Sequence, residues 1–262
     1  MDANCGNSAS VTRIGDLLVL EEAGARLVIA CDSVGGIGPK PADTVAIDAR
    51  SVGHFAARVP LMEVLCAGAT PLMVVNNLCV EAEPTGREMI DAVRGLAESV
   101  GVPPGRVTGS TEDNVETRAT GIGVTVIGRL SQDAPAGGSR SQDVVVCLGW
   151  PRSAPEDDIY LGRPDLVDLG HLARALRSGL IHDAWPVGSK GIRWEGTQLA
   201  QAAGLALRWA DDNPVPIDRS GGPASCVLIS CDEDELSRIR AFFSEELPIT
   251  VVGRLASDAT DG

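Results

Sequence analysis

The sequence predicts a mixed α/β (α+β) protein in two parts, and three observations carry that expectation. Strand-like apolar runs such as RLVIACD and GIGVTVIGRL alternate with stretches of helical pattern such as residues 84–100. A segment rich in Ser, Gly, Pro and Gln, Ser131 to Gln142, separates GIGVTVIGRL from a second apolar run, DVVVCLGW. With 262 residues and 44% hydrophobic content, the chain can bury enough side chains for two domains of moderate size. The boundary is therefore placed at that segment, giving domains 1–131 and 142–262.

In the first part the apolar pattern predicts strands over residues 16–20 and 26–32, a helix over 51–68, a strand over 72–80 and a last strand over 121–130. Between them a helix runs from Pro84 to Val100, where Pro84 suits a first turn and Gly101 a C-terminal cap. In the second part strands are expected over 144–149, 224–230 and 249–253, with helices over 164–178, 195–209 and 233–245.

Composition excludes several functions. A net charge of −14 repels phosphate backbones, and 3% aromatic content leaves no platform for stacking bases, so a nucleic-acid partner is not expected. An anionic small molecule stays admissible, because a bound divalent cation reverses the field locally. The start MDANCGNSAS lacks the basic and apolar regions of a secretion signal, and no apolar run is long enough to span a bilayer. A cytoplasmic location with no membrane partner is expected. Seven scattered cysteines, Cys5 among them, form neither a disulfide framework nor a CxxC zinc pattern. His54, His171 and His182 show no HxH or HExxH spacing, and no GxSxG element is present.

Three segments carry candidate chemistry. CDSVGGIGPKPAD, from Cys31 to Asp43, follows a strand. Gly35, Gly36 and Gly38 would let backbone amides approach phosphate oxygens, Lys40 would neutralise them, and Asp32 would hold a cation. Taken alone, such a segment is more often a glycine-rich hairpin with a solvated lysine and aspartate. In VPLMEVLCAGA, Glu63 sits on a helix that is apolar nearly all round, which implies a buried carboxylate that is paired, neutralised or metal-bound. A helix-edge glutamate reaching solvent, or one paired with a distant arginine, fits equally well. TGSTEDN, Thr108 to Asn114, groups oxygen donors on a turn, as magnesium prefers, although solvated acidic turns are common.

In this order the segments resemble the superfamily of aminoimidazole ribonucleotide synthase, the PurM-like enzymes, which also includes thiamine-monophosphate kinase, selenophosphate synthetase and a hydrogenase-maturation enzyme. The likeness lies in CDSVGGIGPK, LMEVLCAGATPLMVV and TGSTEDNVETRATGIGVTVIGR. It implies a PurM-like fold whose N-terminal mixed sheet pairs across a homodimer, with ATP held near that interface by Mg2+. Asp32 and Glu63 then become metal ligands, with Glu112 a weaker third. Relatives carry Gly-Gly-Asp-Thr where this chain has Gly109, Ser110 and Thr111, so the third ligand stays open between Glu112, Asp113 and neither. ATP contacts fall to Gly35, Gly36, Gly38, Lys40, Asp43 and Thr111, phosphate or substrate contacts to Ser189 and Lys190, and the candidate base is Asp113.

Within the superfamily, VIACDSVGGIGPKPAD, TGSTEDN, PVGSKGI and SGGPASCVL resemble the α-ribazole kinases. That likeness implies Mg-dependent phosphorylation of the α-ribazole 5′-hydroxyl in salvage of the cobalamin lower ligand. ATP-driven cyclisation or dehydration, as in aminoimidazole ribonucleotide synthase, and a non-catalytic ATP-binding dimer are the alternatives.

Overall fold

A computed structural model describes residues 9–131 and 138–257. Cys5, residues 132–137 of the expected boundary segment and the end of the chain from 258 lie outside the described residues.

The first half contains β1 (Ser10–Ile14), β2 (Leu17–Glu22), β3 (Ala25–Gly35), the two-residue strands β4 (Ile37–Gly38) and β5 (Val45–Ala46), α1 (Ala49–Cys66), β6 (Thr70–Leu78), α2 (Arg87–Ser99), β7 (Val107–Ser110) and β8 (Gly121–Leu130). Six of these strands form a mixed sheet in the order β1-β2-β3-β8-β6-β7, in which only β6 and β7 run parallel. The second half contains β9 (Val144–Leu148), α3 (Leu169–Arg177), β10 (Asp183–Pro186), α4 (Gly191–Ala202), β11 (Leu205–Trp209), β12 (Val227–Cys231), the short α5 (Leu236–Arg240) and β13 (Ile249–Ser257). Its five strands form an antiparallel sheet ordered β10-β12-β9-β13-β11.

Helix α1 organises the core. Asp48 caps its start, accepting hydrogen bonds from the Ser51 amide at 2.9 Å and the Ser51 hydroxyl at 2.7 Å. Gly68 at φ +73° ends it in the left-handed region that glycine adopts without penalty. Between these points residues on every side are buried, from Val52 and Ala56 to Leu61, Met62 and Leu65. One side packs on β3, β6 and β8 and the others on α2, α3 and β10, so a single apolar cluster runs through both halves. In β9 all five residues are buried, but Val144, Val146 and Leu148 join that shared cluster while Val145 and Cys147 join a second one with Ile192 and Leu199 of α4. The alternation follows from the period of two in a strand covered on both faces.

Arg58 fastens the halves together. Its Nε donates to the Ala224 carbonyl at 3.0 Å and one terminal nitrogen donates to the Val167 carbonyl, with the side chain buried. It points away from Glu63, as the helical spacing anticipates.

Several expected boundaries need correction. The helix expected from Pro84 begins at Arg87, because the proline ring keeps Glu83 extended (φ −126°, ψ 133°) and residues 82–86 form an irregular turn. The helix expected over 195–209 spans Gly191–Ala202; Gly204 at φ +66° turns the chain, and Leu205–Trp209 becomes an edge strand. The helix expected over 164–178 is confined to Leu169–Arg177 and that over 233–245 to a short turn and Leu236–Arg240. Strands β1, β7 and β10 were not anticipated.

Gly53 permits the approach of α1 to α2: a Cβ there would lie 2.3 Å from the Met89 carbonyl oxygen and 2.7 Å from its Cα. Gly53→Ala is expected to cost about 1–3 kcal/mol by forcing the helices apart, read as a lowered urea midpoint.

Candidate active site

Two clusters form around the first sheet, one about Glu81 where β3, β8, β6 and β7 terminate and one between Asp32 of β3 and Glu63, whose neighbour Val64 packs over Val28 and Gly128. Strand pairing sets the register: Asp32 lies opposite Val124 and Gly35 opposite Gly121, while Asn76 and Asn77 of β6 face Val124 and Gly123 on one side and Gly109 and Ser110 on the other. Gly109 is required at this crossing, since any Cβ would sit 1.6 Å from the Asn76 carbonyl oxygen.

The first cluster is made of carboxylates. Asp32 continues the strand face of Val28 and Ala30, which are buried against α1, and Glu63 stands in the last turn of α1. Burial pushes the Glu63 carboxyl up to about 7, and repulsion from Asp32, Asp16 and Glu195 adds to it. Burial also raises Asp32, against a hydrogen bond from the Ser33 amide. Glu195 of α4 is pushed up to about 7 as well, by burial first; the Gly188 amide and the charge of Lys190 oppose this, and Asp16 reinforces it. Asp32 and Glu63, the two metal ligands expected from sequence, thus lie within repulsive range of each other. Among the described residues neither makes an ion pair.

Two members of this cluster were missed. Asp16 sits at the β1–β2 hairpin beside Gly15, which takes φ +57°, and nothing but that position marks it. Glu195 carries the same signal as Glu63, an acid on an apolar helical face, here between the fully buried Ile192 and Leu199.

The second cluster centres on Glu81. Lys40 Nζ pairs with Glu81 Oε2, Thr85 donates to Oε1 at 2.6 Å and Thr117 to Oε2 at 3.4 Å. Burial works against ionisation of Glu81, but the bonds from Lys40 and Thr85 prevail and hold it at about 2. Asp43 accepts from the Lys40 amide at 2.8 Å and from the amide and hydroxyl of Thr120 at 2.7 and 2.6 Å. The Gly36 amide bonds the Thr120 carbonyl at 2.9 Å, and Gly38, at φ +154°, is needed because a Cβ would lie 2.4 Å from Thr120 Oγ1. The glycine loop is therefore strapped to Thr120 by its own hydrogen bonds. Asp113 accepts from Thr111 at 2.6 Å and from the Ala82 amide at 2.9 Å, which hold its carboxyl below the usual range. Glu112 accepts from the Asn114 amide at 2.8 Å.

Ser189 and Lys190 precede α4, and Lys190 Nζ lies 4.2 Å from the centre of the exposed Trp194 ring. The structure thus brings together Asp32, Glu63 and, near Glu195, Lys190; it holds Gly36, Gly38, Lys40 and Asp43 around Thr120 and Glu81, with Thr111, Glu112 and Asp113 beside Ala82.

Two sheets on a shared helix make this a mixed α/β protein, and its structural neighbours are PurM-like. Residues 6–130, which carry the whole first sheet, match the AIR synthase related protein, N-terminal domain. The thiamine-monophosphate kinase from Stenotrophomonas maltophilia K279a has a similar structure, with TM-score 0.63 and 18% identity over 97% of this chain and 90% of that one. AaThiL complexed with AMPPCP and TMP gives TM-score 0.63 and 15% identity over 92% and 84%. The HypE-HypF complex gives 0.64 and 15% over 91% and 87%. At such identities the likeness is one of fold. No curated protein sequence matches the chain.

The Glu63 carboxyl binds its proton more tightly in the folded chain than at its ordinary value of 4.5. It therefore stabilises the metal-free fold below pH 4.5, and that contribution is lost as pH rises through about 7. In chelator, Glu63→Gln is expected to flatten the pH dependence of unfolding free energy across this window by on the order of 3 kcal/mol.

Proposed function

We propose that this protein is an Mg-dependent ATP phosphotransferase, acting in the cytoplasm, whose acceptor is a small metabolite, most specifically the 5′-hydroxyl of α-ribazole. The convergence of Asp32, Glu63, Asp16 and Glu195 without a paired cation carries the reading. Raised carboxyls at Glu63 and Glu195 mark a place where negative charge is uncompensated, and an all-oxygen donor set fits magnesium. AaThiL binds AMPPCP and TMP, and T. maritima PurL, of which this chain spans 42%, binds ATP. The acceptor rests on the sequence likeness of PVGSKGI and SGGPASCVL to the α-ribazole kinases.

In this reading Asp32 and Glu63 hold the ion, with Asp16 and Glu195 completing the acidic surround. Magnesium, when bound, supplies charge neutralisation for the triphosphate. The protein's share is alignment and electrostatics. In the same reading Lys190, whose charge acts on Glu195, and Ser189 beside it in sequence would offer an ammonium and a hydroxyl to phosphate oxygens. Lys40 reaches phosphate only by exchanging its Glu81 partner. Asp113, held below the usual carboxylate range, is a weak base, adequate for a reaction in which proton removal does little of the work.

The homodimer belongs to the same proposal. The face of the first sheet away from α1 is lined by half-buried Leu18, Leu20, Leu27 and Ile29 and by Ile127 and Met73, with Met73 42% exposed. Register aligns them: Leu18 opposite Ile29, Ile29 opposite Ile127, and Ile127 opposite Met73. A continuous apolar face of this kind is what a second copy would cover. Placing glutamate at both Ile29 and Ile127 is expected to yield monomers by sedimentation velocity, whereas wild-type protein sediments as a dimer.

Incubation with ATP, Mg2+ and α-ribazole, followed by mass spectrometry, tests the activity. Phosphorylated ribazole and ADP are expected. Release of phosphate with a cyclised or dehydrated product identifies the cyclo-ligase alternative, and saturable ATP binding without turnover identifies the non-catalytic dimer. Glu63→Ala is expected to lower Mg-dependent turnover by at least about 100-fold with the fold retained; unchanged activity removes Glu63 from the site.

A further inference from the structure

Away from the acid cluster, at the edge of the second sheet, His182 stands between two aspartates. Asp143 precedes β9, His182 precedes β10 and Asp232 follows β12, so the antiparallel pairing of β9, β12 and β10 assembles the group from distant sequence. One ligand atom from each lies within 4.8 Å of the others. His182 Nδ1 is 2.9 Å from Asp143 Oδ2, and Nε2 is 3.7 Å from Asp232 Oδ2. The side chains of His182 and Asp143 are 8% and 1% exposed, that of Asp232 63%.

These distances differ in meaning. The buried Asp143 also accepts the Arg140 amide at 2.8 Å, so it is fixed, and it fixes the Nδ1–H tautomer of His182. The Nε2 lone pair then faces a carboxylate oxygen across a gap too wide for an N–H···O bond, which ends near about 3.2 Å. Two acceptors face each other there, and a cation belongs between them. A tetrahedral zinc ion with ordinary bond lengths sets its nitrogen and oxygen ligands about 3.4 Å apart, close to the separation found.

We propose that His182 Nε2 and Asp232 bind a divalent transition-metal ion such as Zn2+, with Asp143 orienting the imidazole and solvent filling the open positions. Imidazole ligation selects such an ion over magnesium, so the site is chemically distinct from the acid cluster. The ion would tie the start of β10 to the end of β12, with Asp143 at the start of β9 holding the imidazole. No histidine spacing announces the site, since its ligands meet only through strand pairing.

Calorimetric titration of the full chain with Zn2+ in excess Mg2+ tests this, comparing wild type with Asp232→Asn, His182→Asn and Asp143→Asn. Because the Asp232 side chain is exposed, its variant retains the fold. Wild type is expected to bind one equivalent that Asp232→Asn and His182→Asn lack, and Asp143→Asn is expected to bind it about 10–100-fold more weakly. Zinc taken up by exposed Cys31 and Cys79 or by the acid cluster would appear equally in all four proteins. If wild type shows no equivalent beyond that of Asp232→Asn, the proposal is overturned.

Discussion

The structure depends on α1 being covered on all sides. A helix that packs a mixed sheet on one flank and a second half of the molecule on the other has only its ends available to solvent, and chemistry can be mounted only there. Glu63 occupies the last turn, where its neighbour Val64 packs over Val28 and Gly128, and it lies within repulsive range of Asp32. Its carboxylate is consequently half-buried by construction. The same packing that excludes water from Leu61 and Met62 raises Glu63 toward 7 and makes it responsive to any cation that arrives.

Asp32 and Glu63 could be singled out as acids beside apolar runs, but the residues alone left a solvated or ion-paired reading open for each, and only the family resemblance paired them. The first sheet was legible because its long strands have clear patterns in RLVIACD and GIGVTVIGRL. What escaped were elements whose existence depends on partners. β7 is four residues long and is held parallel to β6 through the close approach at Gly109, and β10 is four residues at a sheet edge. LALRW continues the helical periodicity of α4, and only the turn at Gly204 and pairing with β13 make it a strand. Asp16 could not be seen because a hairpin acid has no periodicity to violate. Glu195 carried a readable sign, overlooked because the helix was placed to start there rather than at Gly191.

Charge is distributed unevenly around the first sheet. Lys40 and Glu81 pair inside a net of threonine hydroxyls, and the carboxylates of Asp43 and Asp113 beside them are each held by hydrogen bonds, giving that region rigidity. The acid cluster has no such compensation apart from the reach of Lys190. The contrast separates a part of the site that is held in place from one that is electrostatically primed.

The bond network of Arg58 has a consequence for how the two halves behave. The Arg58 guanidinium docks on two peptide carbonyls, which no pH change ionises, with the charge of Asp168 near enough to favour it, and it is sealed from the ions that screen surface pairs. Acid or salt that dissolves an ordinary ionic latch leaves these two carbonyl bonds made. The joint therefore opens only when the surrounding core melts, and the halves unfold together rather than swinging apart.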